Sequence, residues 1–260
     1  MTLDTFFASP WLVAIALNSV LVVLALLLPK KLLTPIGYLH ALALGIVVWG
    51  CLGWRGYVIV MFYFLVGSGV TKIGMRQKEA EGIAEKRGGM RGPENVWGSA
   101  LTGTICAIAF AGLAGSTLPT TGESTAIGSL CLLGYTASFA TKLADTTASE
   151  VGKAYGRRTF LITTLKPVPR GTEGAISLEG TLAGVVGSLA IAVVAYGVEV
   201  IDLGGIGWCT IAAFVATNIE SVIGATVQET WDWLTNEVVN GINTALGAIV
   251  AIMLGWLALP

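Results

Sequence analysis

The stretch AIGSLCLLGYTASFATKLADTTASEVGKAYGRR, residues 126–158, decides how this chain is read. Residues 126–143 form an apolar run, and Asp145, Glu150, Lys153, Arg157 and Arg158 follow at once. A run of that length is a candidate to cross a hydrocarbon core of about 30 Å, which takes about 20 helical residues. Two explanations compete for the charges behind it: the ordinary polar end of a membrane span, or a site for a divalent metal and a phosphate.

Composition settles the class. Of 260 residues, 54% are hydrophobic and 12% charged, a balance that soluble domains of this length do not show. Comparable apolar runs recur, and we read eight: 11–28, 35–53, 57–71, 97–115, 126–143, 178–198, 204–226 and 238–257. The third is short and the seventh carries Asn218 and Glu220. Long runs without alternation must be helices, because lipid offers no water to a free backbone group and barrel strands would alternate. The expected fold is all-α: a polytopic membrane helix bundle of about eight transmembrane helices, with residues 1–260 as a single integral membrane domain. The first run is expected to be a retained span, since it is too long for a signal peptide and no Arg/Ser-rich transit segment precedes it.

The cations give an orientation. With eight spans, the connections after spans one, three, five and seven share a side, and that side holds all of the 15 Lys and Arg residues except Arg55. The positive-inside bias turns the loops near 72–96 and 144–177 toward the cytoplasm and both termini away from it. Trp11, Trp49, Trp54, Trp97, Trp208, Trp231 and Trp256 fall near span ends, where an amphipathic ring sits at headgroup level. Cys51, Cys106, Cys131 and Cys209 each stand alone, with no close pair to suggest a metal or redox motif. His40, a lone polar group in the second run, is expected to make an interhelical hydrogen bond.

Chemistry is left to the two large inside loops and the helix ends that frame them. Neither loop reaches the roughly 50 residues at which domains begin. EVGKAYG, residues 150–156, lacks the upstream glycine and the following Ser/Thr of a Walker phosphate loop. A nucleotide would have to be held at the membrane surface.

If the fifth helix continues past the bilayer edge, Asp145, Ala148, Ser149 and Gly152 share one face. That face sets a carboxylate beside a strip of small residues, open to close approach by a polar ligand. Glu150 points elsewhere and needs a bend, or a supporting role behind the ligands, to join Asp145. A carboxylate with Lys153, Arg157 and Arg158 nearby suits Mg²⁺ bridging phosphate oxygens, because hard cations take oxygen ligands. LKPVPRGTEGAISLEGTLAG, residues 165–184, places Lys166, Arg170, Thr172 and Glu173 in a rigid turn, with Pro167 and Pro169 excluding a helix. Glu179 opens the next run, where an unpaired carboxylate is costly, so a cation or metal is expected beside it.

The first inside loop interleaves Lys72, Arg76, Lys78, Lys86, Arg87 and Arg91 with Glu79, Glu81, Glu85 and Glu94. It is too neutralised for a simple polybasic anchor. KRGGMRGPEN, residues 86–95, suits wrapping a phosphate with backbone amides and side chains, with Asn95 as a further contact; a solvated, topology-fixing loop is the plain alternative. In TNIESVIGATVQ, residues 217–228, Asn218, Ser221, Ala225 and Gln228 lie near one helical face, and Glu220 and Gly224 on an adjoining one. Glu220 is expected to meet Asp145, Lys142 or a shared metal, or else to act as a polar clamp between helices. The candidate metal ligands are therefore Asp145, Glu150, Glu179, Glu220 and Asn218.

The succession Asp145, Ala148, Gly152, Lys153, Gly156, Arg157, Lys166, Pro167, Thr172, Glu173 and Gly174 resembles the signature of membrane-embedded CTP-using enzymes. Phosphatidate cytidylyltransferase, dolichol kinase and phytol kinase belong to that group. TKIGMRQKEAEGIAEKRGGMRGPENVWGSA (71–100), the Asp-Thr-x-Ala-Ser-Glu-x-Gly stretch at 145–152, RGTEGAISLEGTLAG (170–184) and NIESVIGAT (218–226) together resemble the integral membrane phytyl-phosphate kinase family of vitamin E biosynthesis. That resemblance covers nearly the whole chain. It implies phosphorylation of a prenyl monophosphate to the diphosphate, with a nucleoside triphosphate as donor, CTP favoured, and Mg²⁺. The residues set to the chemistry are Asp145, Glu150, Lys153, Lys166 and Arg170. Those set to nucleotide and phosphate are Lys72, Lys78, Lys86, Arg87, Arg91, Asn95, Ser149, Gly152, Arg157, Thr172 and Glu173.

The chemistry is self-consistent. A phosphate monoester has a second pKa of about 6, so its oxygens are nucleophilic at neutral pH without a general base. What phosphoryl transfer needs is neutralisation of charge and alignment. The expected partners are a prenyl-phosphate lipid and membrane lipids, without nucleic acid; a homodimer is left open. The host bilayer is a plasma or thylakoid-type membrane. Two other classes compete: a CTP-dependent polyprenol kinase or cytidylyltransferase, the latter releasing diphosphate, and a transporter, which would gather its polar groups near the midplane rather than on one side.

Overall fold

A hydroxyl or carboxylate side chain precedes most of the long apolar runs, and in the computed structural model, which describes residues 9–114, 125–228 and 230–259, each becomes a helix cap. Ser9 caps α1 (Pro10–Leu27), Thr34 caps α2 (Pro35–Thr71), and Thr125 caps α5 (Ala126–Tyr155). Ser177 caps α6 (Leu178–Gly197), Asp202 caps α7 (Leu203–Thr226) and Thr235 caps α8 (Asn236–Leu257). Every cap oxygen accepts the backbone N–H three residues on, which satisfies one of the free donors of a first turn. Between α2 and α5 lie the short α3 (Met75–Ala80), a 3₁₀ turn at Lys86–Gly89, and α4 (Pro93–Ala114). The strands β1 (Thr159–Leu161) and β2 (Ala175–Ser177) pair antiparallel between α5 and α6, with Thr159 opposite Ser177.

α2 is not one rod. Gly53, at φ 62° and ψ −158°, takes a conformation that glycine adopts without steric penalty. It divides α2 into arms 35–52 and 54–71. A straight helix of 37 residues would be about 55 Å long. Yet the Asn18 side chain both abuts Gly45 and accepts a 2.8 Å hydrogen bond from Tyr57 Oη. Likewise Arg91 reaches Tyr63 Oη at 2.7 Å while its carbonyl accepts from Thr34 N at 3.0 Å. The second arm therefore folds back along the first, and the expected runs 35–53 and 57–71 are two crossings.

By length and composition, α1, α2, α4, α6, α7 and α8 can each cross a membrane. α5 is less apolar because it is the axis of the bundle, enclosed by α2, α4, α6, α7 and α8. Tyr135, Phe139 and Leu143 on it are completely buried, and so are Thr136, Ser138 and Thr141. Counting the doubled α2 and the central α5, the described residues make eight crossings, as expected.

Glycines let the neighbours close on α5. A Cβ on Gly247 of α8 would strike Thr141, and one on Gly187 of α6 would strike Thr147. In lipid, where water drives no helix together, such backbone approach supplies the packing energy. Tyr135 Oη donates to Gly56 O at 2.6 Å and ties α5 to the second arm of α2.

α5 has 30 residues and so measures about 45 Å, against about 30 Å of hydrocarbon. Its last turns stand clear of the bilayer where the connections 28–34, 72–92, 156–177 and 227–235 meet. All the Lys and Arg residues but Arg55 belong to this end; Arg55 pairs with Glu199 at the other, at 2.7 Å. Pro167 and Pro169 fall in the non-helical turn between the strands, as expected.

Candidate functional site

A cavity of about 800 Å³ opens at the charged end. α5, α6, α7 and α8 form its walls, and residues 82–95 and 171–177 form its rim. At its base the Lys142 ammonium pairs with Asp145, one turn on along α5, and donates to Asn240 Oδ1 of α8 at 2.6 Å. Lys142 and Asp145 are both buried, so each needs the other: a lone charge there would carry its full desolvation cost.

Glu220 of α7 comes within hydrogen-bonding range of Asp145 and accepts from Asn243 Nδ2 of α8. Three helices thus bring two carboxylates to one ammonium. Close carboxylates repel unless a cation or proton stands between them, and Lys142 can neutralise only one of the two. Thr217 Oγ1, one turn before Glu220, and Asn243 Oδ1 are buried without a hydrogen-bond partner.

The rim is cationic and tightly braced. Arg87, Gly88 and Gly89 have φ of 56°, 62° and 80°, so the 86–92 segment coils over the cavity. Arg87 pairs with Glu94 and donates to Asn95 Oδ1 at 3.0 Å. Its guanidinium, with the Glu94 backbone N–H, holds the Glu94 carboxyl below the usual carboxylate range at the aqueous start of α4. Asn95 Nδ2 reaches Glu237 at 3.2 Å, which ties this rim to α8. Arg91 lies over the Tyr63 ring, 5.2 Å from its centroid, and lines the cavity.

Of the residues singled out in the sequence, Asp145, Ser149, Glu150, Gly152, Lys153, Arg87, Arg91, Asn95, Thr172, Glu173, Asn218 and Glu220 all line this cavity. The others are placed differently. Lys72, Arg157 and Lys166 are exposed outside it. The side chain of Lys86 lies outside the described residues. Arg170 pairs with Glu81 at 2.6 Å and braces the two inside loops against each other, because Gly171, at φ 83°, turns the chain and leaves Arg170 beside Glu81. Glu179 sits in the first turn of α6, off the cavity, where the helix dipole favours a carboxylate.

The expected five-residue ligand set is not brought together. Among the described residues no three His, Cys, Asp or Glu side chains are grouped closely enough to hold an ion alone. Glu150 lies five residues beyond Asp145, about 140° around the helix, and pairs instead with Lys78, which is wholly buried and also donates to Thr71 O at 2.9 Å. The small-residue strip is also partly filled. Gly180 of α6 approaches Ala148 O so closely that a Cβ would sit 2.6 Å from it, so helix packing takes part of the surface expected for a ligand.

Sequence reading missed Tyr63, Asn240 and Asn243, and treated Lys142 only as a partner for Glu220. Asn240 and Asn243 are three apart inside an apolar run, a signal for a polar face that must find partners in the bundle. His40 makes an interhelical hydrogen bond, accepting at Nδ1 from Trp97 Nε1 at 2.7 Å, and Cys51, Cys106, Cys131 and Cys209 are free thiols.

Comparison with known proteins agrees with this architecture. The uncharacterized membrane protein sll0875 of Synechocystis is 64% identical over 94% of this chain and 91% of its own length. Protein VTE6, chloroplastic, of Arabidopsis thaliana is 44% identical over 95% of this chain and 73% of its own length. The uncharacterized membrane protein MJ0933 of Methanocaldococcus jannaschii is 30% identical, covering 90% of this chain and 91% of its own. No solved structure matches the chain. The family described as integral membrane protein DUF92 matches residues 18–248, and the chain belongs to it.

Proposed function

We propose that the protein is a nucleoside-triphosphate-dependent kinase that converts a prenyl monophosphate to the diphosphate at the cytosol-facing lip of the membrane. The observation that carries this reading is the meeting of Lys142, Asp145 and Glu220 at the base of a cavity rimmed by Arg87, Arg91 and Lys153. The likeness to a plant chloroplast protein over most of the chain supports it.

In the reaction, an oxygen of the prenyl monophosphate attacks the γ-phosphorus of the donor. The bond from that phosphorus to the β–γ bridging oxygen breaks, and the nucleoside diphosphate leaves with the bond's electrons. The acceptor oxygen is already ionised near neutral pH, so no base is needed at the site. Arg87, Arg91 and Lys153 hold the donor phosphates, and Lys142 faces the charge that spreads over the transferred group.

The donor set fits Mg²⁺. Asp145 and Glu220 offer hard oxygens on two carboxylates, only one of which Lys142 can neutralise, and having only two suits an ion that keeps water and phosphate oxygens in its shell. Held there, the ion supplies neutralisation at the phosphate oxygens.

Purified protein with Mg²⁺, labelled nucleotide and prenyl monophosphate is expected to yield prenyl diphosphate and nucleoside diphosphate, with CTP the preferred donor. Asp145→Asn is expected to abolish the product. Full activity in that variant would remove Asp145 from the mechanism, and release of inorganic diphosphate would mark a cytidylyltransferase.

A further inference from the structure

Phe214 belongs to two surfaces. It is 47% exposed, on a helical face shared with Ile211 and Val215, which are exposed and lie off the cavity, and it also lines the cavity. A side chain that does both stands at an opening. Phe214 lies twelve residues before Thr226, the end of α7, about 18 Å along the axis; this opening is therefore at hydrocarbon depth.

Across the gap, Thr181 and Val185 of α6, four residues apart, line the same cavity. α6 is held in place by its adjoining face, where Gly180, Gly184 and Gly187 approach the carbonyls of Ala148, Ala144 and Leu143 of α5. The outer face of α6 beside the gap carries Leu182 and Val186, at 57% and 65% exposure, as a lipid-facing surface should.

The walls of the gap change character with depth. Val185 and Phe214 are apolar. Toward the charged end come Thr217, Asn218 and Ser221, a polar strip where bare lipid would penalise one. Asn218 Nδ2 donates to Phe214 O at 2.7 Å and Ser221 Oγ to Thr217 O at 3.1 Å, so their donors are satisfied on their own helix. The strip leads to Glu220 and the Lys142 centre.

We infer that the gap between α6 and α7 is a lateral entrance for a single-chain lipid monophosphate. The head group slides along Thr217, Asn218 and Ser221 to the cavity base. The first isoprene units rest between Val185 and Phe214, and the remaining tail never leaves the bilayer. Val185 and Phe214 thereby set the preference for the part of the tail nearest the phosphate. The identity of the head group rests on the kinase reading; the place of the tail does not.

Two measurements on the full-length protein in nanodiscs test this. A prenyl monophosphate carrying a diazirine in its first isoprene unit is expected to label residues 178–197 and 203–226 on irradiation. Labelling confined to other helices would overturn the entrance. Then the Val185→Trp variant, which narrows the gap, is compared with wild type on one-, two- and four-unit prenyl monophosphates. Its KM is expected to rise about tenfold at every length, because each substrate places its first unit beside residue 185, with kcat changing less. An unchanged KM, or an effect confined to the longest tail, would overturn the tail assignment, and so would a diacyl phosphate that competes as well as the prenyl one. If wild type phosphorylates none of these substrates while the label still falls on α6 and α7, the kinase reading fails and the entrance stands.

Discussion

Lys78 and Glu150 allow the sharpest separation of chemistry from architecture. Lys78 is completely buried and Glu150 is 2% exposed; the two are paired, and the ammonium also donates to Thr71 O. Lys78→Met keeps the volume of the stem but strands the Glu150 carboxylate without its cation. Breaking a buried pair in this way costs about 3–5 kcal/mol. At about 2–4 °C per kcal/mol for a chain of roughly this size, the apparent unfolding midpoint should fall by about 6–20 °C. The assay is thermal unfolding in one detergent at one scan rate, because membrane proteins commonly unfold irreversibly and the midpoint then depends on rate. Lys72→Met, at an exposed position, should shift stability by no more than about 0.5 kcal/mol. The double variant Lys78→Met/Glu150→Leu should recover most of the loss, since a buried pair replaced by apolar groups is often neutral or better. A single variant as stable as Lys72→Met, or a double variant as unstable as the single, would refute the reasoning. A recovered double variant should also retain activity; if it is stable but inactive, Glu150 returns to the reaction.

Other substitutions probe the rest of the molecule. Gly180→Ala should destabilise by about 1–3 kcal/mol in the same unfolding assay, because its Cβ would sit 2.6 Å from Ala148 O; Gly207→Ala, with nothing within 4 Å of its Cβ, should cost nothing. Lys142→Met should lower kcat by about 10²–10³-fold with labelled nucleotide and prenyl monophosphate, as expected for loss of a charge facing the transferred group. His40→Ala should leave kcat and KM unchanged and cost about 1 kcal/mol, the price of one partly buried hydrogen bond to Trp97.

The spans were legible because lipid imposes a length and a composition on them, and even the fold-back in α2 left a trace: two apolar runs flank Gly53 and Arg55. The caps went unread, although Ser9, Thr34 and Asp202 stand where helix starts need an acceptor. That Glu220 needs a partner was legible, because a carboxylate at the bilayer edge is costly alone, but the sequence left Asp145, Lys142, a metal and a polar clamp all open. The partner of Glu150 was not legible. Spacing along α5 shows that Glu150 points away from Asp145, but only the placement of α3 supplies Lys78, 72 residues earlier in the chain. Arg170 and Glu81 are 89 residues apart and were hidden for the same reason. In a rim where nearly every loop carries both signs of charge, local sequence cannot say which cation meets which carboxylate; tertiary geometry decides it.

The depth of the polar groups bears on transport against catalysis. A transporter needs a route that can open at either face, with its binding site near the midplane. Here the cavity base rests on a dense floor. One turn below Lys142, Phe139 and Ser138 crowd Gly103 of α4, where a Cβ would meet the Phe139 ring at 2.6 Å. A further turn down, Tyr135 is wholly buried and bonded to Gly56 O, and Gly134 is pressed against Ile252 of α8. Opening the far side would mean separating α5 from α2, α4 and α8 at once, across the Tyr135–Gly56 hydrogen bond and the close contacts at Gly103 and Gly134. The lateral gap between α6 and α7 demands no such rearrangement. A lipid substrate needs only that gap and the charged mouth, because its tail and its phosphate already lie on the two sides of the same interface.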